Sequence, residues 1–410
     1  MKKKAVIFLF VAVFALTIGC GKTETTGDKT MITIACWIKD TPLSLCVDEF
    51  NQRNSDYEIQ IYEYYDPTEQ NYEAAMTRMR MDLIANDVCD LLYLDSMDIY
   101  ALENAGLLMD LNPLMEQDKQ FHYEDYYWNI WSLYQRNGKL YEWIPAFELA
   151  GVFGPSTLLS DVDTWTMDEY RAFSNSTGQS IGSITPATMI CSMLQYTNHD
   201  LISLENGTCN LNSEEFKEWL AFSYGFHSSN GDLWVNWIRG MKDYLSWQFD
   251  FGTPICMVNV PTTQRSSICA SAHFSFGISS KTEHALICWE FLKFLMDDAL
   301  LNQMTLGAEP VGFPMKKDLL TTQLECAMLP ESDSNAIVHN WGDDAIPLAE
   351  SDAARLIQQI ENIDCVQKRI SAVLDIVIDE SGAYFEGEKN VDDTARIIQS
   401  RSSIYLAEQQ

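Results

Sequence analysis

Aromatic rings and carboxylates recur together at three places early in the chain: Trp37 with Asp40, Tyr64 and Tyr65 with Asp66, and Asp95 beside Ser96. A ring can cover the apolar C–H face of a sugar, while a carboxylate accepts hydrogen bonds from sugar hydroxyls. That pairing suits a carbohydrate ligand. The plainer use of the same residues is structural, with the tyrosines capping a sheet edge and the carboxylates in solvent. Other chemistries lack their residue patterns. The 6 histidines are scattered, with no H-E-x-x-H arrangement, and the cysteines beyond Cys20 stand singly, with no C-x-x-C spacing. Neither a metal site nor a cofactor is expected. There is no G-x-S-x-G nucleophile elbow, and no carboxylate pair is singled out for the fixed separation that glycoside hydrolysis needs. A binding protein, not an enzyme, is the expectation.

The elements that must position these residues alternate in kind. Residues 31–36 carry Ile32, Ile34 and Cys36 at the two-residue period of a strand. Thr41-Pro42 opens a helix that buries Leu45, Val47 and Phe50 and breaks at Asn54-Ser55-Asp56. Tyr57, Ile59 and Ile61 alternate again, residues 69–85 place Ala75, Met79 and Leu83 on one helical face, and residues 90–94 form a short buried strand. A βαβαβ order predicts a parallel sheet with helices on both faces, and so an α/β fold. In open sheets of this kind the ligand crevice lies outside the carboxyl ends of the strands. Each of the three aromatic and acidic groups stands just past such an end. Gly138-Lys139 reads as a hairpin turn that enters an extended segment. Trp234 and Trp237, three apart, read as one buried helical face, and Trp247 reads as a cleft candidate near a later crossing between lobes.

Composition sets the outer limits. The 410 residues are 47% hydrophobic and carry a net charge of −32, with 59 acidic against 27 basic side chains. That sign repels phosphate backbones, so nucleic acid is excluded as a partner, and it disfavours docking on anionic lipid through the protein's own surface. The length predicts two core-bearing lobes. At the start, Lys2, Lys3 and Lys4 precede an apolar run to Ile18, then Gly19 and Cys20. A helix over that run rises about 21 Å, short of the roughly 30 Å of a hydrocarbon core. It reads as a secretory signal. Thr17-Ile18-Gly19-Cys20 resembles a bacterial lipoprotein signal, with Thr where Leu is usual. That resemblance implies lipid such as palmitate on Cys20, a tether over 21–30 and an extracytoplasmic protein held at the membrane.

Four segments together resemble the extracellular solute-binding proteins of ABC transporters, of the oligosaccharide-binding type. The first joins Ile32–Trp37, Val47–Asn54 and Tyr57–Ile61; the second joins Leu83–Leu94, Leu102–Leu111 and Asn137–Tyr141. The third runs from Phe276–Lys281 through Cys288–Leu295, and the fourth joins Ala383–Lys389 and Ile397–Glu408. The resemblance implies two α/β lobes with a hinge, the periplasmic-binding-protein-like fold, in which each lobe is a mixed sheet flanked by helices. It assigns 31–146 and 252–300 to the first lobe and 147–251 and 301–410 to the second, with crossings near 146, 252 and 300. It implies a monomer that closes on a sugar and delivers it to permease subunits. Carried over by position, Trp37, Asp66 and Asp95 line the cleft, while Trp143 and Phe147 mark the first crossing. Asp40, Tyr65, Ser96 and Trp247 complete the expected ligand-binding set. The chain departs from the family in two places. Asn86–Asp90 replaces the usual Gly and Pro-Asp before the third strand, and the Gly-Lys-x-Ala-Met stretch that supplies second-lobe aromatics is missing between Gly231 and Trp247. The same fold could serve a peptide or a polyamine, or a surface sensor without transport.

Overall fold

The computed structural model describes residues 29–68, 71–85, 89–226, 231–342 and 344–408. The leader, Cys20, most of the tether and Asn86–Val88 lie outside the described residues. Among the described residues eleven strands follow in chain order: β1 (Thr30–Cys36), β2 (Tyr57–Glu63), β3 (Leu91–Tyr93), β4 (Ala146–Pro155), β5 (Ile202–Ser203), β6 (Thr208–Cys209), β7 (Trp234–Ile238), β8 (Ile255–Val258), β9 (Cys269–Ser271), β10 (Phe276–Ile278) and β11 (Phe313–Pro314). They make two main sheets and one small hairpin.

The first sheet runs β10-β3-β1-β2, with β1 parallel to both β2 and β3 and with β10 antiparallel. Alternation along β1 and β3 sorts side chains to two faces. Ile32, Ile34, Cys36, Leu91 and Tyr93 join one core with Leu43, Val47 and Phe50 of the helix Thr41–Arg53. Ala35, Leu92 and Leu94 join the other, with Ala75, Met79 and Leu83 of the helix Tyr72–Ala85. The expected βαβαβ unit is therefore present.

The second sheet is organised by β4, a ten-residue strand that pairs with β7, β8, β9 and β11, all antiparallel. Its faces also divide. Ala150, Val152, Cys256 and Val258 pack with the helices Met167–Thr177, Pro186–Gln195 and Glu214–Ser223. Leu149, Phe153, Ile255 and Met257 join the core that continues into the first lobe. Both sheets are flanked by helices, as the fold class requires, but only the first is mixed; the second, expected to be mixed as well, has its strands antiparallel throughout because every strand added to it pairs with β4.

Two expectations are corrected, the place of the second crossing and the element that carries Trp234 and Trp237. Residues 252–300, expected with the first lobe, divide instead. β8 and β9 add to the second sheet by pairing with β4, and the chain returns to the first sheet only at β10. Short strands buried on both faces carry no alternation that would name their sheet. The second crossing is thus the segment 272–275, not 252. Trp234 and Trp237 lie on a strand, and Trp237 is 42% exposed. They do not share a buried helical face.

The ten described cysteines beyond the leader are free thiols, six of them buried. Burial pushes the thiols of Cys36, Cys89 and Cys191 up to about 12. They pack as small hydrophobes, not as nucleophiles.

Candidate functional site: the rim between the lobes

The carboxyl ends of β1 and β2 present an aromatic cluster. Trp37 stacks on Tyr65, with ring centroids 5.1 Å apart and 9° between planes, and Tyr72 meets Trp37 edge-on at 5.0 Å. Trp37 itself is 7% exposed, so Tyr65 and the half-exposed Tyr72 form the outer surface. Tyr72 was not among the expected residues. Its signal is weak in sequence, because it opens a helix and reads as solvent-facing.

The carboxylates take different roles. Asp40 caps the helix that follows β1, accepting from the Leu43 amide at 2.7 Å, and its other oxygen accepts from the Tyr93 hydroxyl at 2.6 Å. Burial pushes its carboxyl above the ordinary value, and the charges of Asp95 and Glu309 add to this against those two hydrogen bonds. Asp40 therefore joins the first strand's end to the third's. Asp66 is exposed and turns back on Thr68, whose amide and hydroxyl both donate to Oδ1; those bonds hold it below the ordinary value. Asp95 lies two residues past β3 and accepts from the Ser96 hydroxyl at 3.0 Å. Ser96 sits at φ 60°, a left-handed turn that swings the chain off the strand.

Across from these stands the second lobe. Glu148 projects from β4, is 4% exposed, and lies 3.3 Å from the hydroxyl of Ser271 on β9. Between the two lobes is His273, in the second crossing: Nδ1 is 3.6 Å from Asp95 and Nε2 is 3.6 Å from Glu148. Asp95 at Nδ1 raises the imidazole pKa, burial opposes this, and Glu148 adds to the rise. Burial raises the Asp95 pKa, but His273 and Ser96 outweigh it and leave it below the ordinary value. Glu148 is raised by burial, against the charges of His273 and Arg239.

The structure thus gathers Trp37, Tyr65, Asp40, Asp95 and Ser96 at one rim and adds Tyr72, Glu148 and His273. It does not bring in the remaining expectations. Trp143 and Phe147 are fully buried, Trp143 among Phe121, Trp131 and Trp289 and Phe147 against Tyr127 and Phe313. They form the packed floor of the first crossing and offer no ring face. Trp247 packs on Phe153, Trp234 and Phe251, away from the rim. Sequence did hold a signal for Glu148: it is the one carboxylate in the otherwise apolar stretch of β4. No comparable signal marks His273, whose role comes from the crossing it occupies. Among the described residues no group of three or more His, Cys, Asp or Glu side chains could hold a metal ion, and no helix is long and apolar enough to cross a membrane.

No protein-family model and no curated protein matches the chain. Solved structures do match it in fold. An ABC substrate-binding protein from Listeria monocytogenes in complex with cycloalternan is 13% identical, with a TM-score of 0.58, over 93% of this chain and 100% of that one. An extracellular solute-binding protein of family 1 from Alicyclobacillus acidocaldarius is 12% identical, with a TM-score of 0.61, over 93% and 99%. The sugar-binding protein MalE from Xanthomonas citri is 13% identical, with a TM-score of 0.61, over 92% and 98%. The fold is the two-lobed one of these proteins across nearly the whole described chain.

Proposed function

We propose that this chain is an extracytoplasmic solute-binding protein, tethered by lipid on Cys20, that captures a carbohydrate between its lobes and hands it to the permease of an ABC transporter. The observation that carries this reading is the composition of the rim. Ring faces of Tyr65 and Tyr72 and the carboxylates of Asp95 and Glu148 stand together, with Glu148 and His273 contributed from beyond the first lobe. Rings take the apolar faces of a sugar, and carboxylates take its hydroxyls. A ligand touching both lobes binds the closed state better than the open one, and that differential affinity drives closure. Nothing in this scheme breaks a bond in the ligand, so the protein acts as a binder and not as an enzyme. One fold neighbour is a substrate-binding protein in complex with cycloalternan and another is a sugar-binding protein, which supports this choice of cargo.

A second reading is favoured by charge. Asp40, Asp95 and Glu148 gather where His273 is half-exposed and the chain as a whole is strongly acidic, which suits a cation such as a polyamine. One screen separates the two. Thermal unfolding of the purified protein is followed with mono- and oligosaccharides, polyamines and peptides. A ligand at one hundred times its dissociation constant stabilises the fold by about 2.7 kcal/mol. A reproducible rise with one sugar class, lost in Tyr72→Ala, a change at the half-exposed ring, supports carbohydrate capture. A rise with polyamines or peptides alone keeps the fold and removes the sugar.

A further inference from the structure

Cys269 and Cys365 are far apart in the chain and meet in the fold. Cys269 lies on β9, and the segment that follows the helix Glu350–Glu361 runs beside it. The Ala270 amide donates to the Cys365 carbonyl at 3.0 Å, and the Gln367 amide donates to the Ala270 carbonyl at 2.8 Å. That pattern is a parallel bridge of Ala270 with Val366. It sets Cys269 opposite Cys365, one residue back on each chain. Side chains alternate along extended backbone, so Ala270 turns to the core shared with the first lobe, while Cys269 and Cys365 turn together into the second lobe's own core. Neighbouring strands lie about 4.8 Å apart, and a disulfide joins Cα atoms about 4.4–6.8 Å apart. The register therefore suits a bridge.

The two thiols differ in their surroundings. Cys269 is fully buried; burial first, and then a hydrogen bond with Cys365, push its thiol well up, against the charge of Lys368. Cys365 belongs to the wall of a cavity of about 250 Å³, and Lys368 stands in the same wall. The Lys368 ammonium donates to the His199 carbonyl at 2.8 Å and interacts with both thiols. A neighbouring cation favours the thiolate, the form that attacks an oxidant. Hydrogen peroxide is little larger than a water, whose share of liquid volume is about 30 Å³, so the cavity has room for it. An oxidant there meets the wall that holds Cys365, and Cys269 lies behind. One thiol to attack and a second to resolve is the pairing that peroxide-sensitive cysteines use.

We propose that Cys269 and Cys365 form a redox-active pair, which peroxide closes to a disulfide. The Cys365 thiolate attacks one oxygen of hydrogen peroxide and the O–O bond breaks; the sulfur becomes a sulfenic acid, and the departing hydroxide takes the thiol's proton and leaves as water. The Cys269 thiol then attacks the sulfenic sulfur. The S–S bond forms, the S–O bond breaks, and a second water leaves with the Cys269 proton. Two thiols have given up two electrons and two protons, and one peroxide has become two waters. The bridge ties β9 to the segment whose Arg369 donates to the Glu142 carboxylate at 2.9 Å and to the Ala272 carbonyl at 2.8 Å. It closes a loop of roughly one hundred residues, which restrains the unfolded chain. None of this depends on which ligand the rim takes.

The test treats the purified, fully reduced protein with a small excess of hydrogen peroxide, alkylates it under denaturing conditions and reads its peptides by mass spectrometry. The expected product is lighter by two hydrogens, contains one linked pair of peptides carrying Cys269 and Cys365, and returns to the reduced mass with dithiothreitol. The oxidised protein melts about 5 °C above the reduced one. In Cys269→Ala, Cys365 stops at the sulfenic acid and is trapped by dimedone, while the reduced variant keeps a cooperative melt. The wild-type product decides the pairing by itself, whether or not that variant folds. The proposal is overturned if both thiols stay alkylatable after the half-buried Cys209 and Cys326 have been oxidised, or if the linked peptides join other cysteines. It is also overturned by a bridge that forms but lowers the melting temperature, because the two thiols would then have met only in an opened chain.

Discussion

Two histidines have their pKa values moved in opposite directions, and each shift sets a pH window. His273 has its pKa raised by Asp95, so the folded state favours the imidazolium. Its contribution is fully present below the unfolded value of 6.5 and is lost as pH rises through the higher folded value. His273→Gln should therefore lower the melting temperature more at pH 5.5 than at pH 9; an equal drop at both would mean that the ring acts by packing and not by charge. The ring is half-exposed, so the effect is modest. His199 is the reverse case. It is buried, its Nε2 donates to the Leu194 carbonyl, and Nδ1 accepts from the Leu201 amide, so the neutral form fits. Burial first, and then the charge of Lys368, push its pKa down to about 4. Between pH 6.5 and 4 the unfolded state binds the proton and the folded state does not, so stability falls as pH falls, by about 3 kcal/mol in total. Urea titrations at pH 7 and pH 4.5 should show a smaller acid loss in His199→Gln than in the wild type, and an identical loss would remove His199 as the cause.

At the scale of elements, the second sheet depends on a close approach that side chains would block. Gly312 sits at φ +132°, and a Cβ there would lie 2.6 Å from the Phe147 carbonyl oxygen; Gly240, at φ +120°, would put its own Cβ 2.7 Å from the Gly312 oxygen. This is where the chain re-enters the second lobe to pair β11 with β4. Gly312→Ala should cost more than about 1 kcal/mol in urea unfolding, because both the space and the backbone angle oppose it; a neutral substitution would mean that the crossing relaxes freely. The first sheet was readable for local reasons. Its strands alternate, its helix opens on a capping Asp40, and Ala75, Met79 and Leu83 fall on one face. The second sheet was not, because its pairing is set far away in sequence. Trp234 stands opposite Phe153 and Trp237 opposite Ala150, a register that three-residue spacing disguises as a helix. β8 and β9 are too short and too buried to declare their partner. The site divides along the same line: Trp37, Asp40 and Asp95 follow from strand ends, whereas Glu148 and His273 acquire a role only once two distant segments meet.

For the whole molecule, the question is what resists or rewards movement between the lobes. One apolar core runs through both, around Trp131, Trp143 and Trp289, so the crossings form a packed axle and not a loose linker. On the proposed capture by closure, movement would be a rotation about that axle, with little change inside either lobe. The contacts placed to register it are the two carboxylates on opposite sides of His273. A ligand that takes the lobes from one part closed in a hundred to ninety-nine must favour the closed state by about 5.5 kcal/mol. In the proposed scheme a rim ligand supplies that by touching groups of both lobes, Asp95 on one side and Glu148 on the other. X-ray scattering with the sugar found in the thermal screen should therefore show a smaller radius of gyration at saturation. Glu148→Gln should bind that sugar more weakly and contract less, since the second lobe loses its charged acceptor, while Asp66→Asn, turned back on Thr68, should contract as the wild type does. Contraction that is intact in Glu148→Gln would place the closing contact elsewhere on β4's lobe. Binding with no contraction at all would make the rim a one-lobe site, and capture by closure would fail while the fold stood.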